Sequence, residues 1–175
     1  MRFIDSTNFE RLLKKLSSEG ELFVPVRDEE TGKAHIERVE EFPLPEGTDF
    51  GGIRAVEPSK GFAQLLRSEV AKYPDDKMDE MADDDFPVFV VVGAKGCDLR
   101  AMQMIDKVQV EGEFTDPFYK ARRDRMILIG SDCTTTGPSC FCTLLGDNPW
   151  PEEGCDIMIS RVSGGFLAES GTERG

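Results

Sequence analysis

Hydrophobic residues recur along the chain at two different periods, and each period predicts a different kind of element. A helical period near the N-terminus predicts a helix from Ile4 to Ser18. We expect a polar residue at positions 6–8 to cap this helix and Gly20 to end it. The apolar positions on one face of this helix are Phe9, Leu12, Leu13 and Leu16.

Two strand-like runs follow within residues 21–39 and flank residues 29–32. Gly32 supplies the positive φ that a tight turn often needs, so this segment predicts a β-hairpin. Helical spacing returns over Gly61–Tyr73. The strongly acidic stretch Pro74–Asp85 then predicts a solvated loop, because like charges extend a chain.

The second half of the chain predicts a βαβ unit. Phe86–Val92 is a short, continuous apolar run rich in β-branched residues, which is typical of a buried central strand. A glycine-containing turn at 93–97 leads to helical spacing over Asp98–Val108. A second buried strand is expected at Met126–Ile129, and parallel pairing of the two strands follows from this order.

A final strand at Asp156–Arg161 and a hairpin through Gly164 and Gly165 complete the pattern. The expected fold class is α/β (mixed α+β), with a central mixed sheet, an N-terminal helix and a β-hairpin. At 175 residues the chain suits one domain over 1–175. Its expected parts are helix plus hairpin at 1–50, an acidic loop at 74–85 and a core at 86–161 that contains all five cysteines.

Charge and hydropathy exclude several classes of function. The net charge of −13 argues against binding to nucleic acid or to an anionic membrane surface. No stretch approaches the ~20 apolar residues that a membrane-spanning helix needs. The N-terminus has no apolar core of a secretion signal, so we expect a cytoplasmic protein. Thiols stay reduced there, and clustered cysteines then indicate a metal site rather than disulfides.

Four cysteines form the candidate site: Cys97, Cys133, Cys140 and Cys142. Their spacing is C-x35-C-x6-C-x-C, and four thiolates suit either a [4Fe–4S] cluster or a tetrahedral zinc ion. The sequence lacks the C-x2-C knuckles that zinc sites prefer, which favours iron–sulfur and leaves zinc as the alternative. A flavin such as FAD at the sheet edge beside Gly93 is a weaker third alternative.

The predicted elements deliver these cysteines to one place. Cys97 and Cys133 each follow the carboxyl end of a predicted strand, which is the sheet edge where ligands gather in α/β folds. Gly137 and Pro138 favour a curled loop that brings the C-x-C pair to the same edge. Cys155 is a spare, expected to pack at the start of the last strand, with a metal ligand as the lesser alternative.

A basic group stands out in this acidic chain: Lys120, Arg122, Arg123 and Arg125. It predicts a solvated helix face. The alternative is a docking patch for an acidic partner such as a ferredoxin or a neighbouring subunit.

Several segments resemble a known family. GAKGCDLRAMQMIDKV, EGEFTDPFYKARRDRMILIGSDC and CFCTLLGDNPWPEEGCDIMIS are similar to the N-terminal domain of the sulfhydrogenase beta-subunit and anaerobic sulfite reductase A-subunit family. IRAVEPSKGF is similar to the family's R-x-x-E-P-x-K-x-F segment. The resemblance covers roughly residues 50 to 175.

The resemblance implies that Cys97, Cys133, Cys140 and Cys142 bind a [4Fe–4S] cluster. The chain is then expected to be a single iron–sulfur domain over 1–175, with the cluster-binding core at 86–161. Family members usually continue into a ferredoxin-like region with repeated C-x2-C-x2-C-x3-C-P motifs, which this sequence lacks. We therefore expect a single cluster here and a resemblance to the N-terminal domain only. Either this chain is a shortened relative, or partner subunits carry the remaining clusters. The expected partners are other redox subunits with clusters, flavin or the catalytic site.

The resulting expectation is an electron-transfer subunit of an anaerobic redox complex of the hydrogenase, sulfite reductase or heterodisulfide reductase type. Such a subunit performs no bond chemistry itself. The alternative is a zinc-stabilised structural or assembly module of such a complex.

Overall fold

The computed structural model describes residues 1–64 and 86–175, and these build one seven-stranded mixed sheet with helices on both faces. The strands are β1 (Arg2–Asp5), β2 (Glu21–Arg27), β3 (Ala34–Arg38), β4 (Phe89–Ala94), β5 (Met126–Ser131), β6 (Ile157–Val162) and β7 (Gly165–Ser170). The α-helices are α1 (Ser6–Leu16), α2 (Gly96–Gln109) and α3 (Pro117–Asp124). Two 3₁₀ turns span Ser59–Phe62 and Cys142–Leu145.

The strand order is β1-β7-β6-β5-β4-β2-β3. The four central strands β6, β5, β4 and β2 run parallel, whereas β1, β7 and β3 pair antiparallel at the two sides. The carboxyl ends of the central strands therefore share one edge of the sheet. This arrangement confirms the expected mixed sheet with a βαβ unit.

Alternation along the strands creates a core on each face of the sheet. In β4, Val90 and Val92 pack in the cluster that contains Phe9 and Leu13 of α1. Phe89 and Val91 face the other way, into the cluster that contains Leu99 and Met102 of α2. Because both faces are covered, β4 consists of consecutive apolar residues rather than alternating polar ones.

The N-terminal helix is shorter than the pattern predicts. Asp5 is its N-cap and accepts a hydrogen bond from Asn8 N at 2.9 Å, so the cap is not among residues 6–8. Arg2–Asp5 instead pairs with β7, and that pairing holds residues 4 and 5 extended. The helix begins where the pairing ends.

The predicted hairpin is confirmed. β2 and β3 pair antiparallel, and Gly32 in the turn has a φ of 66°. The closing hairpin is confirmed as well, since β6 and β7 pair antiparallel around a turn in which Gly164 has a φ of 80°.

The βαβ prediction is confirmed, with one addition. β4 and β5 pair in parallel and are joined through α2, but a further helix, α3, precedes β5. Asp116 caps α3 by accepting hydrogen bonds from Phe118 N and Tyr119 N at 2.9 and 3.1 Å.

Two predictions fall largely or wholly outside the described residues. Of the helix expected over Gly61–Tyr73, the structure describes only residues 61–64, and the first two of these belong to the 3₁₀ turn Ser59–Phe62. The acidic stretch Pro74–Asp85 lies wholly outside the described residues. Among the helices of the described residues, none combines the length and apolarity needed to cross a bilayer.

Candidate metal centre

Two of the candidate cysteines follow adjacent strands at equivalent positions. Ala94 of β4 and Gly130 of β5 are register partners, and each stands three residues before a cysteine. Cys97 lies in the first turn of α2, and Cys133 lies in the loop after β5. The parallel register therefore brings two cysteines that are far apart in sequence to the same sheet edge.

The other two cysteines lie in a curled loop. Cys140 N donates a hydrogen bond to Gly137 O at 3.0 Å, and Gly137 N donates to the Cys140 sulfur at 3.2 Å. Cys142 begins the 3₁₀ turn, which ends at Gly146 with a φ of 80°. An N–H already aimed at a cysteine sulfur is the type of contact that tunes iron–sulfur sites.

Backbone hydrogen bonds fasten this loop to the sheet edge. Asp147 N donates to Cys142 O at 3.0 Å, and Cys133 N donates to Pro149 O at 2.7 Å. The start of α2 also touches the loop closely, since a Cβ at Gly96 would lie 3.2 Å from Trp150 O. The segment after Cys142 thus contacts both Cys133 and the turn that carries Cys97.

A third segment, from the N-terminal half, closes the site. Gly51 O accepts hydrogen bonds from both Thr134 N and Thr134 Oγ1, each at 2.8 Å. A Cβ at Gly137 would lie 3.3 Å from Ile53 Cδ1. The site is therefore assembled from residues before β4 as well as after it.

Cys133 lies within electrostatic range of each of the other three thiols. Burial raises the pKa of Cys133, Lys95 lowers it, and the charges of Cys140 and Cys142 raise it further. The pKa of Cys97 is raised to about 11, by partial burial first and then by Asp98 and Cys133. A helix N-terminus by itself would lower the pKa of a cysteine thiol. The pKa of Cys97 is raised instead, although its side chain is exposed.

Lys95, the N-cap residue of α2, is buried directly behind the thiols. It is 1% exposed, and its ammonium donates hydrogen bonds to Phe50 O, Ser131 Oγ and Asp132 O at 2.7, 2.8 and 2.9 Å. Burial lowers the pKa of Lys95, and Cys133 is the strongest of the charges that oppose this shift. In the sequence Lys95 stands two residues before Cys97, and no local pattern indicates that it is buried.

Arg54 and Lys60 add positive charge at the same place. Burial raises the pKa of Asp98, while Arg54, Lys95 and Lys60 lower it, and Arg54 also lowers the pKa of Cys97. Both residues lie in the R-x-x-E-P-x-K-x-F segment, and this motif is the sequence signal that could have identified them as part of the site. Its glutamate, Glu57, instead holds the hairpin by accepting from Ile36 N at 3.0 Å.

The thiols approach one another without meeting at a point. Within residues 1–64 and 86–175, no three histidine, cysteine, aspartate or glutamate side chains are close enough to hold one metal ion. All five cysteines are free thiols.

Cys155 stands apart from the other four cysteines. It is 2% exposed and packs in the core between the sheet and α2. Burial raises the pKa of its thiol to about 11. It occupies the start of the last parallel strand, as its position predicts.

The basic group is held in contacts with the rest of the fold. Arg122 donates to Phe62 O at 3.0 and 2.8 Å and lies over the rings of Phe86 and Phe89. Arg123 pairs with Asp106 at 3.2 Å, and Lys120 pairs with Asp124. Arg125 is the C-cap residue of α3. A docking role for the group stays a prediction.

Large apolar side chains surround the cysteine loop on its solvent side. Phe141, Leu144 and Leu145 are 59%, 86% and 58% exposed. Trp150 is half exposed at the far end of the same loop. Three of these exposed apolar residues, Phe141, Leu144 and Leu145, lie within three positions of Cys142 in the chain.

Comparison with known proteins supports the resemblance noted in the sequence. The chain is 27% identical over 178 aligned positions to sulfhydrogenase 2 subunit beta from Pyrococcus furiosus. The alignment covers all of this chain and 50% of that relative, so the chain spans about half the relative's length. This confirms the similarity to sulfhydrogenase beta subunits and agrees with a match to one domain only. No protein-family model matches the chain, and no solved structure matches it with statistical significance.

Proposed function

We propose that this relative of a sulfhydrogenase beta subunit is an electron-transfer subunit of an anaerobic redox complex, of the hydrogenase, sulfite reductase or heterodisulfide reductase type. It would relay electrons through one [4Fe–4S] cluster held by Cys97, Cys133, Cys140 and Cys142. One observation carries the proposal. Four free thiols from three chain segments gather at the carboxyl edge of the parallel strands, with Cys133 in electrostatic range of the other three.

The chemistry of the surroundings fits such a cluster. A cluster bound by four thiolates needs compensating positive charge and N–H donors to sulfur. Lys95 and Arg54 supply positive charge near the thiols, and Gly137 N already donates to the Cys140 sulfur at 3.2 Å. An iron–sulfur cluster at this position would supply one-electron chemistry.

The chain's own residues divide the work of holding such a group. Cys97 and Cys133 are fixed by the sheet, because β4 and β5 set their separation. Cys140 and Cys142 are carried by a loop whose only regular structure is a four-residue turn. The loop is the part of the site that adjusts to its occupant.

Zinc is the runner-up, in a structural or assembly module. A zinc ion requires all four sulfurs at about 2.3 Å from a single point. Zinc sites prefer paired C-x2-C knuckles, and this sequence has none. In a four-iron cluster each cysteine binds a different iron, so the four sulfurs need not converge on one point.

The proposed partners are other redox subunits that carry clusters, flavin or the catalytic site, with ferredoxin as a further candidate. Electrons pass to a partner most readily where the site approaches the surface. Phe141 and Leu144 are exposed on either side of Cys142, and exposed apolar side chains of this kind are typical of protein interfaces. Five free cysteines suit a reducing compartment, so we place the protein in the cytoplasm.

Iron loading under anaerobic conditions tests the proposal. We expect reconstituted protein to contain about four irons per chain. It should be brown and give an EPR signal after reduction with dithionite. Cys133→Ser should lose most of the iron, since Cys133 is the common neighbour of the other thiols, while Cys155→Ser should keep it. A colourless protein with about one zinc per chain and no EPR signal would establish the zinc module instead.

A further inference from the structure

Lys95 places a buried positive charge at the edge where the cysteines meet. Lys95 is 1% exposed, and its ammonium donates hydrogen bonds to Phe50 O, Ser131 Oγ and Asp132 O at 2.7 to 2.9 Å. An ammonium has three N–H donors, and each one here has an acceptor. The geometry therefore holds the charge in one fixed position.

The position of this charge relates directly to two of the proposed ligands. Lys95 lies two residues before Cys97, and its acceptors Ser131 and Asp132 immediately precede Cys133. A charge inside the protein acts through a lower dielectric than water and is screened little by salt. Its effect on a neighbouring charge is accordingly larger than that of a surface lysine.

We propose that Lys95 is a positioning residue that raises the reduction potential of the centre held by Cys97, Cys133, Cys140 and Cys142. This inference rests on the proposed function. One-electron reduction by an external donor such as dithionite adds one negative charge to the centre and breaks no bond. A fixed positive charge nearby stabilises the reduced state more than the oxidised state, so reduction becomes more favourable.

Bracing is the competing role for the same residue. The three hydrogen bonds join the ends of β4 and β5 to the loop at Phe50. If this structural role were the whole function of Lys95, the charge would have no effect on the reduction potential. The two roles differ in what they predict for the potential. Bracing affects how much cluster is held, whereas the charge affects the potential of whatever cluster is held.

The test is an EPR-monitored redox titration of the anaerobically loaded full chain. Lys95→Met keeps the length of the side chain and removes its charge. We expect the ratio of reduced to oxidised centre at a fixed potential to fall at least tenfold, which corresponds to a lowering of about 59 mV for one electron. Lys33→Met is the matched control, because it removes the same charge from an exposed turn and should leave the potential unchanged.

Two further variants keep the inference decidable if Lys95→Met holds no cluster. Lys95→Gln retains hydrogen-bond donors without charge, and Lys95→Arg retains both. A lowered potential in Lys95→Gln, with Lys95→Arg staying close to the wild-type potential, supports the inference. An unchanged potential in a loaded neutral variant overturns it. Neutral variants that fold but hold no cluster would assign Lys95 a purely structural role and would overturn it as well. Failure of the wild-type chain to bind iron would instead count against the proposed function.

Discussion

Gly130 and Cys155 fit against each other between β5 and the start of β6. A Cβ at Gly130 would lie 2.8 Å from the Cys155 sulfur and 3.0 Å from Pro151 Cγ. The glycine therefore makes room for the thiol. Cys155 is thereby accommodated in the core between the sheet and α2 rather than among the other four cysteines.

Gly130→Ala should destabilise the fold by overpacking, at a cost of about 1–3 kcal/mol. Urea denaturation of the metal-free protein measures this change in the free energy of unfolding. Removing the sulfur as well, in Gly130→Ala/Cys155→Ala, should recover part of the loss, with a coupling of at least about 0.5 kcal/mol. Strictly additive effects would show that the two residues do not compete for the same space.

Cys155 should resist alkylation in the folded protein. Its side chain is 2% exposed, and burial raises the pKa of the thiol to about 11, so little reactive thiolate is present at neutral pH. Iodoacetamide labelling of the metal-free protein, followed by mass spectrometry of its peptides, should modify exposed Cys140 well before Cys155. In urea the two should react at similar rates. Equal rates without urea would contradict the buried placement.

Asp28 should make the fold lose stability in acid. The pKa of its carboxyl lies below the ordinary value of 3.8 because Thr31 N and Thr31 Oγ1 donate to it in the hairpin turn. A lowered folded pKa gives a stabilising contribution that is complete above the unfolded pKa and is lost as the pH falls through the folded pKa. Thermal unfolding of the wild type and Asp28→Asn should therefore differ most at pH 6 and converge below about pH 4. A difference that stays constant with pH would contradict this account.

Arg122 should matter for stability far more than its neighbour Lys120. Its guanidinium donates twice to Phe62 O and lies 5.2 Å from the centre of the Phe89 ring, so Arg122→Ala should cost about 1–3 kcal/mol. Lys120 forms a surface ion pair with Asp124, and Lys120→Ala should cost less than about 1 kcal/mol. Chemical denaturation of the two variants gives the comparison.

The comparison also bears on the docking hypothesis for the basic group. Similar small losses in both variants, together with weaker binding to an acidic partner, would favour docking over a structural role for Arg122. A large loss for Arg122→Ala alone would make Lys120 the better residue with which to test docking.

The elements near the cysteines were predictable because their signals are local. A valine-rich run marks β4, and a glycine turn followed by helical spacing marks the start of α2. Strand ends then place Cys97 and Cys133 without any knowledge of the other strands. Because β4 and β5 pair in parallel, the two cysteines that follow them lie at the same edge of the sheet.

Features that depend on distant partners were not predictable in the same way. Lys95 is buried because carbonyl oxygens of Phe50 and Asp132 accept from it, and these residues are 45 and 37 positions away. The N-cap of α1 is Asp5 rather than a residue at positions 6–8, because residues 2–5 pair with β7. Asp116 and Pro117 do form a local start signal for α3. However, that helix spans only eight residues and fully buries only Tyr119, so its apolar periodicity is weak.

The pairing of β1 with β7 sets an order of events during synthesis. Residues 2–5 leave the ribosome long before their partners at residues 165–168 are synthesised. The edge strand of the nascent chain therefore stays without its neighbour until translation of these residues is complete, even while β2 and β3 already form their hairpin. Completion of the sheet waits until residues 165–168 have left the ribosome, and a ribosome stalled before residue 165 would hold an open edge.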